Sequence, residues 1–313
     1  MQIIRLTYPL ESPEAVRFPS QVTAIGDFDG IHLGHQEVIR RAIARAKERG
    51  VPASIMTFHP HPREVLGQNQ YTQVLTPFAD KMELFAALGI HHVYVVEFDD
   101  AFSRVDARQF VERIVHPLGI DTVVVGFDFR FGHRAQGTPD TLCELGRGAI
   151  AVEVVRPFHS GGRKVSSTLV REYLREGRIG LANELLGRPY RLRGTVVSGM
   201  ARGRTIGFPT ANIELTEPYV VPRNGVYSIR LHLDGRAHEG IMNIGVRPTF
   251  EGGETKPSLE AHIFDFNRTI YGESVAVEFM AFLRPERKFA SVSELIEQIR
   301  RDIAQCVARR YGE

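Results

Sequence analysis

The sequence predicts an α/β domain with a parallel sheet, followed by a small antiparallel β-barrel with a terminal helix. Three observations support this prediction. In the first half of the 313 residues, apolar β-branched runs alternate with helical patterns, which is typical of βαβ units. In the second half, short strands are joined by turns, and one helix ends the chain. The length suits two domains of ordinary size.

The elements of the first half follow from apolar runs and helical spacing. A helix is expected to follow His35 and to end at Gly50, because apolar residues recur at helical spacing between them. A second helix begins near Thr76, with Pro77 at its first position, and ends at Gly89. The predicted strands lie at residues 21–25, 54–58, 93–98, 122–125 and 151–155.

The pattern changes near Gly187, where we expect the second domain to begin. The predicted domains therefore span residues 1–186 and 187–313. Val226–Leu233 alternates apolar and polar residues before a turn, as a half-buried strand does. Ser291 and the glutamate three residues later predict a capping box for the last helix. Two further strands are predicted at residues 261–266 and 275–283.

Composition and charge exclude several classes of protein. The formal net charge is +2, from 39 basic and 37 acidic side chains, without a polybasic run, so nucleic-acid and membrane partners are not expected. No apolar stretch reaches the roughly 20 residues of a membrane span, and no signal-peptide pattern is present, which predicts a cytoplasmic protein. Cys143 and Cys306 lack a CxxC spacing, so we expect two buried apolar side chains.

A glycine-rich segment, residues 26–35, follows the first strand and opens the first helix. Backbone N–H groups and the helix dipole favour a phosphate at such a position. His32 and His35 can reach one anion together and donate hydrogen bonds to an α-phosphate as its charge builds. Gly34 between them lets a nucleotide approach closely. The alternative is a turn whose histidines only cap the helix.

A second segment, residues 165–171, places hydroxyl groups directly before a helical run. Ser167, Thr168 and Arg171 would together hold the β- and γ-phosphates of a nucleotide. The basic loop at residues 160–164 can close over a triphosphate tail. A plain helix N-cap is the alternative.

Two further loops follow predicted strands of the same sheet, where ligands of such sheets bind. Residues 57–62 offer an aromatic face on a stiff backbone, and residues 126–132 combine three aromatic rings with a carboxylate and a guanidinium. A planar, partly polar ring system suits such a lining. The alternatives are a proline-stiffened turn and aromatic core packing around a salt bridge.

The most informative segment of the second half spans residues 199–212. Its glycines and arginines can form a loop over phosphates, although it is not a Walker A sequence. Thr210 and Asn212 present two neutral oxygen atoms on one face of an extended segment, and Mg²⁺ accepts such ligands when substrate phosphates supply the rest. A surface loop followed by a turn is the alternative.

Glu260 begins an otherwise apolar and aromatic strand. Its carboxylate therefore points either into solvent or into a cavity. A carboxylate in a cavity can accept the proton of a substrate hydroxyl as a general base. The solvated position is the commoner one for a single glutamate at a strand end.

These segments, in this order and spacing, resemble the prokaryotic bifunctional riboflavin kinase/FMN adenylyltransferase (FAD synthetase) family over almost the whole chain. Residues 207–212, Gly-Phe-Pro-Thr-Ala-Asn, are a specific signature of its kinase module. The resemblance implies a Rossmann-like nucleotidylyltransferase domain in which the FMN phosphate attacks the α-phosphorus of ATP, giving FAD and pyrophosphate. It also implies a six-stranded barrel that phosphorylates riboflavin with ATP and Mg²⁺.

The resemblance also implies roles for residues of the first domain. His32 and His35 would stabilise the pentacoordinate phosphorus. The nucleotide would be bound by Gly26, Phe28, Gly34, Ser167, Thr168 and Arg171, of which the last three would hold the leaving pyrophosphate. The flavin pocket would be lined by Phe58, Pro60, Pro62 and Asp128. Two positions depart from the family pattern: Asp27 stands where asparagine is usual, and His59 stands where an acidic residue is frequent.

In the second domain, the resemblance implies that Glu260 activates the terminal ribityl hydroxyl. The metal would be held by Thr210 and Asn212. The flap over ATP would include Gly199, Gly203 and Arg204. The flavin site would include Asn243 and Arg247, with Tyr271 near its rim.

Two other functions stay open at this point. One is a nucleotidylyltransferase for another phosphorylated acceptor, with the barrel as a specificity domain; residues 207–212 argue against it. The other is an inactive protein that senses flavins or nucleotides; the His32 and His35 pair and Glu260 argue against it, and Asp27 argues for it. The expected partners are ATP, riboflavin, FMN and FAD, and a homo-oligomer is left open.

Overall fold

The computed structural model describes residues 1–10, 20–67, 72–199, 202–247 and 256–311. The chain forms two compact units, Met1–Ser167 and Thr168–Glu313. The first contains a parallel sheet with helices, and the second contains a closed antiparallel barrel and the terminal helix, which confirms the predicted fold class. The predicted domain boundary after residue 186 stays a prediction.

Six parallel strands form the sheet of the first unit, in the order β1-β4-β3-β2-β5-β6. A separate two-stranded hairpin, β7 and β8, follows them. The sheet strands are β1 Gln2–Leu6, β2 Gln21–Ile25, β3 Ala53–His59, β4 His92–Glu97, β5 Ile120–Gly126 and β6 Ala151–Val155; the hairpin strands are β7 His159–Ser160 and β8 Arg163–Lys164.

The helices of the first unit cover both faces of this sheet. The first ends as predicted, with Gly50 in the left-handed conformation at φ 66°. Pro77 lies one position outside the second predicted helix, as its N-cap residue. The helices are α1 Leu33–Arg49, α2 Pro62–Val65, α3 Phe78–Ala87, α4 Asp100–Ser103, α5 Ala107–Phe110, which continues into a π-helical turn at Val111–Val115, and α6 Pro139–Leu145.

Two apolar clusters fill the space between the sheet and its helices, one on each face. All five residues of β2 are buried, as expected for a central strand of a parallel sheet. Because β2 lies between β3 and β5, the loops that follow these three strands emerge at one edge of the sheet. These loops carry the segments at residues 26–35, 57–62 and 126–132.

The second unit is a barrel closed in the order β10-β13-β12-β11-β14-β9. In β11, residues from Tyr227 to Leu233 alternate between buried and half-buried, as predicted. The predicted strand at 261–266 is shifted, since β13 ends at Ile263 and Asp265 turns the chain with φ 51°. The strands are β9 Tyr190–Val197, β10 Ala211–Leu215, β11 Gly225–Leu233, β12 Arg236–Arg247, β13 Lys256–Ile263 and β14 Ser274–Arg284.

Four helices accompany the barrel: α7 Ser167–Glu176, α8 Ile179–Leu186, α9 Arg202–Thr205 and α10 Val292–Tyr311. The N-terminus of α10 is capped by Ser291, whose Oγ accepts from the Glu294 N–H at 3.2 Å. The Glu294 carboxylate accepts from the backbone of Ala290 rather than from Ser291, so the predicted capping box is only half formed.

Two further expectations concern the whole chain. Cys306 is buried as expected, but Cys143 is exposed, because it lies on the solvent side of α6. Among the described residues, none of the helices is long and apolar enough to cross a membrane.

A buried ion pair attaches α10 to the barrel. Arg284, the last residue of β14, holds the Asp302 carboxylate with Nε at 3.0 and 3.1 Å and with Nη2 at 2.9 Å. The Asp302 side chain is 3% exposed. Gln298 donates a further hydrogen bond of 2.7 Å to the same carboxylate.

We expect Asp302→Ala to lower the free energy of unfolding by about 3 kcal/mol, because it leaves the Arg284 charge buried without its partner. Urea denaturation followed by circular dichroism measures this loss. Arg301→Ala is the matched control: its side chain is 72% exposed beside Glu297, so its removal should cost less than about 0.5 kcal/mol. Equal losses in the two variants would contradict the prediction.

Two candidate active sites

His32 and His35 lie together at the N-terminus of α1. His32 is the N-cap residue, and its Nδ1 accepts the backbone N–H of His35 at 3.2 Å. The two rings are stacked, with centroids 3.6 Å apart. A Cβ on Gly34 would lie 3.2 Å from the His32 ring, so glycine keeps this turn compact. His32 therefore does cap the helix, and it does so with Nδ1, which places the proton of the neutral ring on Nε2.

Phe28 supports this histidine pair from the protein interior. Its side chain is 2% exposed and packs edge-on against His35 at 5.4 Å and against Phe85 at 5.7 Å. Gly26 lies over the same ring, since a Cβ there would be 3.1 Å from the Phe28 side chain. Any contact of Phe28 with a nucleotide would therefore come from its backbone.

Asp27 belongs to the loop at residues 26–35, called the histidine loop below, and its side chain contacts two other segments. Its carboxylate lies 2.9 Å from His61 Nε2 and 3.9 Å from Lys81 Nζ. Burial alone would raise the pKa of Asp27, but the charge of Lys81 and the hydrogen bond from His61 hold it below its ordinary value. Asp27 is therefore ionised at neutral pH.

The loops at residues 57–62 and 126–132 present aromatic and charged side chains. The half-buried Phe58 packs against Phe98 at 6.2 Å and against Phe102 at 5.8 Å. Asp128 is exposed and pairs with Lys164 at 2.7 Å, and the same ammonium lies 4.2 Å from the centre of the Phe127 ring. Pro60 is exposed and Pro62 is the first residue of α2. These contacts leave the flavin-lining role of the four predicted residues a prediction.

The segment at residues 165–171, which carries the hydroxyl groups, spans the start of α7. Ser167 donates its Oγ to the backbone carbonyl of Asp29 at 2.8 Å, which places it beside the histidine loop. Thr168 is exposed, and Arg171 is 4% exposed on the buried face of α7. Both belong to the second compact unit, and their contact with phosphates stays a prediction.

The second candidate site is a row of polar side chains across three strands of the barrel. Asn212 of β10 and Asn243 of β12 are both directly opposite Glu260 of β13. Directly opposed residues of antiparallel strands point to the same face. Leu259 and Ala261, the neighbours of Glu260, are buried in the interior, so the row lies on the outer face of the barrel.

Glu260 is half-buried within this row, between the two amides. Ser258 donates a hydrogen bond of 3.1 Å to its Oε1. The structure thus places the carboxylate neither deep in the interior nor fully in solvent. A substrate hydroxyl that reaches this face can contact it.

Gly199 and Gly203 lie close to the side chains of the two predicted metal ligands, Asn212 and Thr210. A Cβ on Gly199 would lie 2.0 Å from Asn212 Nδ2, and a Cβ on Gly203 would lie 3.3 Å from Thr210 Oγ1. Gly203 and the exposed Arg204 lie in α9, a short helix where a loop was expected. The expectations for Met200, Ala201 and the Arg247 side chain lie outside the described residues. The exposed Tyr271 follows β13.

Sequence reasoning missed Lys81 and Glu286, which contact the predicted sites, and it gave no role to His61 within residues 57–62. His61 and Lys81 bind Asp27, and Glu286 accepts a hydrogen bond of 3.2 Å from Asn243. Lys81 had a detectable signal, because it lies three residues after Phe78 on the apolar side of α3. Glu286 had no signal in the sequence, because a glutamate after a proline is common on protein surfaces. The described residues contain no group of three or more His, Cys, Asp or Glu side chains that could hold a metal ion.

The fold and the two sites define a class of protein. A helix N-terminus with a histidine pair is suited to a nucleotide phosphate, and a carboxylate beside hydroxyl and amide oxygens is suited to phosphoryl transfer. A chain that carries one such site in each of two units is a two-domain transferase acting on nucleotides.

Comparisons with known proteins specify the family. The family model for FAD synthetase matches residues 16–169, and that for riboflavin kinase matches residues 186–309. The bifunctional riboflavin kinase/FMN adenylyltransferase of Bacillus subtilis is 40% identical over 98% of this chain and 98% of its own. That of Escherichia coli is 36% identical over 93% and 92%. The chain belongs to the bifunctional riboflavin kinase/FMN adenylyltransferase family, an enzyme family of flavin cofactor biosynthesis.

A solved structure supports the two-domain fold. A crystal structure from Streptococcus pneumoniae, described as a macrolide-efflux protein, superposes with a TM-score of 0.87 at 32% sequence identity. The match covers 96% of this chain and 98% of that one. Its description differs from the names of the two enzymes above, and the likeness bears on the fold.

We expect Gly199→Ala to slow riboflavin phosphorylation by at least about tenfold, because the new Cβ must displace either the loop or the Asn212 amide. Conversion of supplied FMN to FAD should be unchanged. The control is Gly180→Ala in α8, where a Cβ meets nothing within 4 Å. Chromatography of the flavin products measures both rates, and an unchanged phosphorylation rate in Gly199→Ala would contradict the prediction.

Asp27 should make the stability of the chain depend on pH in the acid range. Its pKa is lower in the folded than in the unfolded state, so its stabilising effect is complete above about pH 4 and is lost as the pH falls. Between the two pKa values this group removes at most about 1.4 kcal/mol per pH unit. Between pH 7 and pH 3, the free energy of unfolding of Asp27→Asn, measured by denaturation, should therefore fall less steeply with pH than that of the wild type. Parallel curves throughout that range would refute the assignment.

Proposed function

We propose that each of the two reactions has its own site within this chain. The loop of His32 and His35 carries adenylyl transfer from ATP to FMN, and the outer barrel face at Glu260 carries phosphoryl transfer from ATP to riboflavin. The observation that carries the proposal is the register of β13, which sets the only carboxylate of the row between Asn212 and Asn243. The two family-model matches, one for each part of the chain, support the same division.

In the kinase reaction, Glu260 accepts the proton of the terminal ribityl hydroxyl while the oxygen attacks the γ-phosphorus of ATP. The bond from the γ-phosphorus to the bridging oxygen breaks, and ADP leaves with that oxygen. Ser258 fixes one carboxylate oxygen by its hydrogen bond, which orients the other toward the substrate. Gly199 lies against Asn212. From this position its segment can cover the phosphates with backbone groups.

Enzymes of this ATP-dependent family generally use a divalent metal, and we propose Mg²⁺. Thr210 Oγ1 and Asn212 Oδ1 fit this ion, since both are neutral oxygens. Each side chain lies against a glycine, Gly203 and Gly199, where a Cβ would crowd it. When bound, Mg²⁺ would neutralise phosphate charge. The two side chains would also orient the nucleotide on the face that holds Glu260.

In the adenylyl reaction, a phosphate oxygen of FMN attacks the α-phosphorus of ATP and the bond to the β-phosphate breaks, giving FAD and pyrophosphate. His32 and His35 donate to the oxygens of the α-phosphate, where charge increases in the transition state. The N-terminus of α1 adds its backbone donors. The roles of Thr168 and Arg171 at the pyrophosphate and a cytoplasmic location stay predictions from the sequence.

Separate sites predict that each reaction can be removed alone. Glu260→Gln should lower FMN formation from riboflavin by at least about 100-fold, because the isosteric amide cannot accept the proton. Its conversion of FMN to FAD should stay within about twofold of the wild type. His32→Asn combined with His35→Asn should give the reverse pattern. Both rates are measured by chromatography of flavins from the purified full chain with ATP and Mg²⁺.

Three outcomes would change the proposal. If either variant lost both reactions while keeping its circular dichroism spectrum, the two-site model would fail. If the wild type bound flavin but formed neither FMN nor FAD, the chain would be a sensor. If it transferred adenylate only to another phosphorylated acceptor, the barrel would be a specificity domain.

A further inference from the structure

The loop at residues 26–35, which is proposed to receive phosphates, itself contains a negative charge, Asp27. Asp27 immediately precedes Phe28, whose ring packs against His35, and its carboxylate is ionised. A carboxylate at such a position repels the phosphates of ATP and FMN, and the repulsion is strong where water is excluded. An adenylyl-transfer site with this residue therefore needs a compensating charge.

Lys81 of α3 places a positive charge next to this carboxylate. Its Nζ donates a hydrogen bond of 2.7 Å to the backbone carbonyl of Asp27 and lies 3.9 Å from Oδ1. Oδ1 itself is buried and accepts no hydrogen bond from the part of the chain that the structure describes. The Lys81 side chain is only 10% exposed, so the ammonium is held at this position.

The other oxygen of the Asp27 carboxylate, Oδ2, accepts a hydrogen bond from a neutral side chain, His61. His61 Nδ1 accepts the backbone N–H of Arg63 at 3.1 Å, which places the ring proton on Nε2. Nε2 is 2.9 Å from Asp27 Oδ2 and donates to it. His61 in this form adds a hydrogen bond and no charge, and the positive charge at the cluster comes from Lys81.

We propose that Lys81 is a positioning residue of the adenylyl-transfer site that acts through Asp27: its ammonium cancels the carboxylate charge and lets the loop at residues 26–35 accept anionic phosphates. The inference rests on the proposed function of that loop. Lys81 also holds the Asp27 backbone, together with the Thr57 hydroxyl at 3.1 Å, so the histidine loop, the 57–62 loop and α3 meet at one carbonyl oxygen.

Charge compensation and simple structural support predict different changes in KM when Lys81 or Asp27 is replaced. If the pair were only structural, removing either partner would leave a buried unpaired charge and would weaken substrate binding in both cases. If Lys81 compensates Asp27, loss of Lys81 exposes phosphates to a carboxylate, whereas loss of the Asp27 charge leaves an extra cation that attracts them. The two single variants should therefore shift the KM values in opposite directions.

The experiment measures KM for ATP and FMN in FAD formation by the full chain. Lys81→Met should raise these values by at least about tenfold, equivalent to 1.4 kcal/mol. Asp27→Asn should lower them, because the Lys81 charge is then no longer cancelled while the amide oxygen still accepts from His61. The double variant should return to within about threefold of the wild type, and Lys81→Arg, which keeps the charge, should stay close to it.

Two internal controls accompany these variants. Lys47→Met removes the same charge from the exposed C-terminal turn of α1 and should change neither KM. The KM for ATP in riboflavin phosphorylation should be the same in every variant. If Lys81→Met does not fold, the sign of the KM change in Asp27→Asn still decides, since a rise would overturn the proposal.

The outcomes separate this inference from the function on which it rests. A wild-type chain that forms no FAD from FMN and ATP refutes the proposed function. A wild type that forms FAD, with losses in Lys81→Met and Asp27→Asn that simply add in the double variant, refutes only charge compensation.

Discussion

The parallel pairing of β2 with β3 on one side and β5 on the other determines where the first site can form. Parallel strands bring their carboxyl ends to one edge of the sheet. The loops at residues 26–35, 57–62 and 126–132 therefore emerge together. β2 holds this arrangement rigidly because all five of its residues are buried, so the strand is covered on both faces of the sheet. The contacts of the Asp27 carboxylate with Lys81 and His61 are a consequence of this pairing.

Antiparallel pairing has the same function in the barrel. The register of β13 with both of its neighbours sets Asn212, Glu260 and Asn243 in one row. A slip of one residue in either pair would turn Glu260 toward the interior and would turn its buried neighbours Leu259 and Ala261 outward. Backbone hydrogen bonds therefore determine the face and the neighbours of this carboxylate.

The fold class and most elements could be predicted from the sequence because period and turn chemistry are local properties. Gly50 ends α1 as expected, and β11 alternates as expected. The start of β13 could not be predicted, since it depends on pairing with β12, and Pro77 was displaced by one position as the N-cap of α3. Candidate site residues were found where they lie in glycine-rich or hydroxyl-rich segments.

Side chains that act on those segments from elsewhere were not found, and the reason is physical. Lys81 and Glu286 lie 54 and 43 residues from Asp27 and Asn243, so only tertiary structure brings each pair together. The same reasoning explains how a chain with a net charge of +2 can handle triphosphates. Binding depends on the local sum of charges within a few ångströms, where screening is weak, and not on the total. A neutral cluster of Asp27 and Lys81 leaves the helix N-terminus and the histidines to determine the attraction for phosphate.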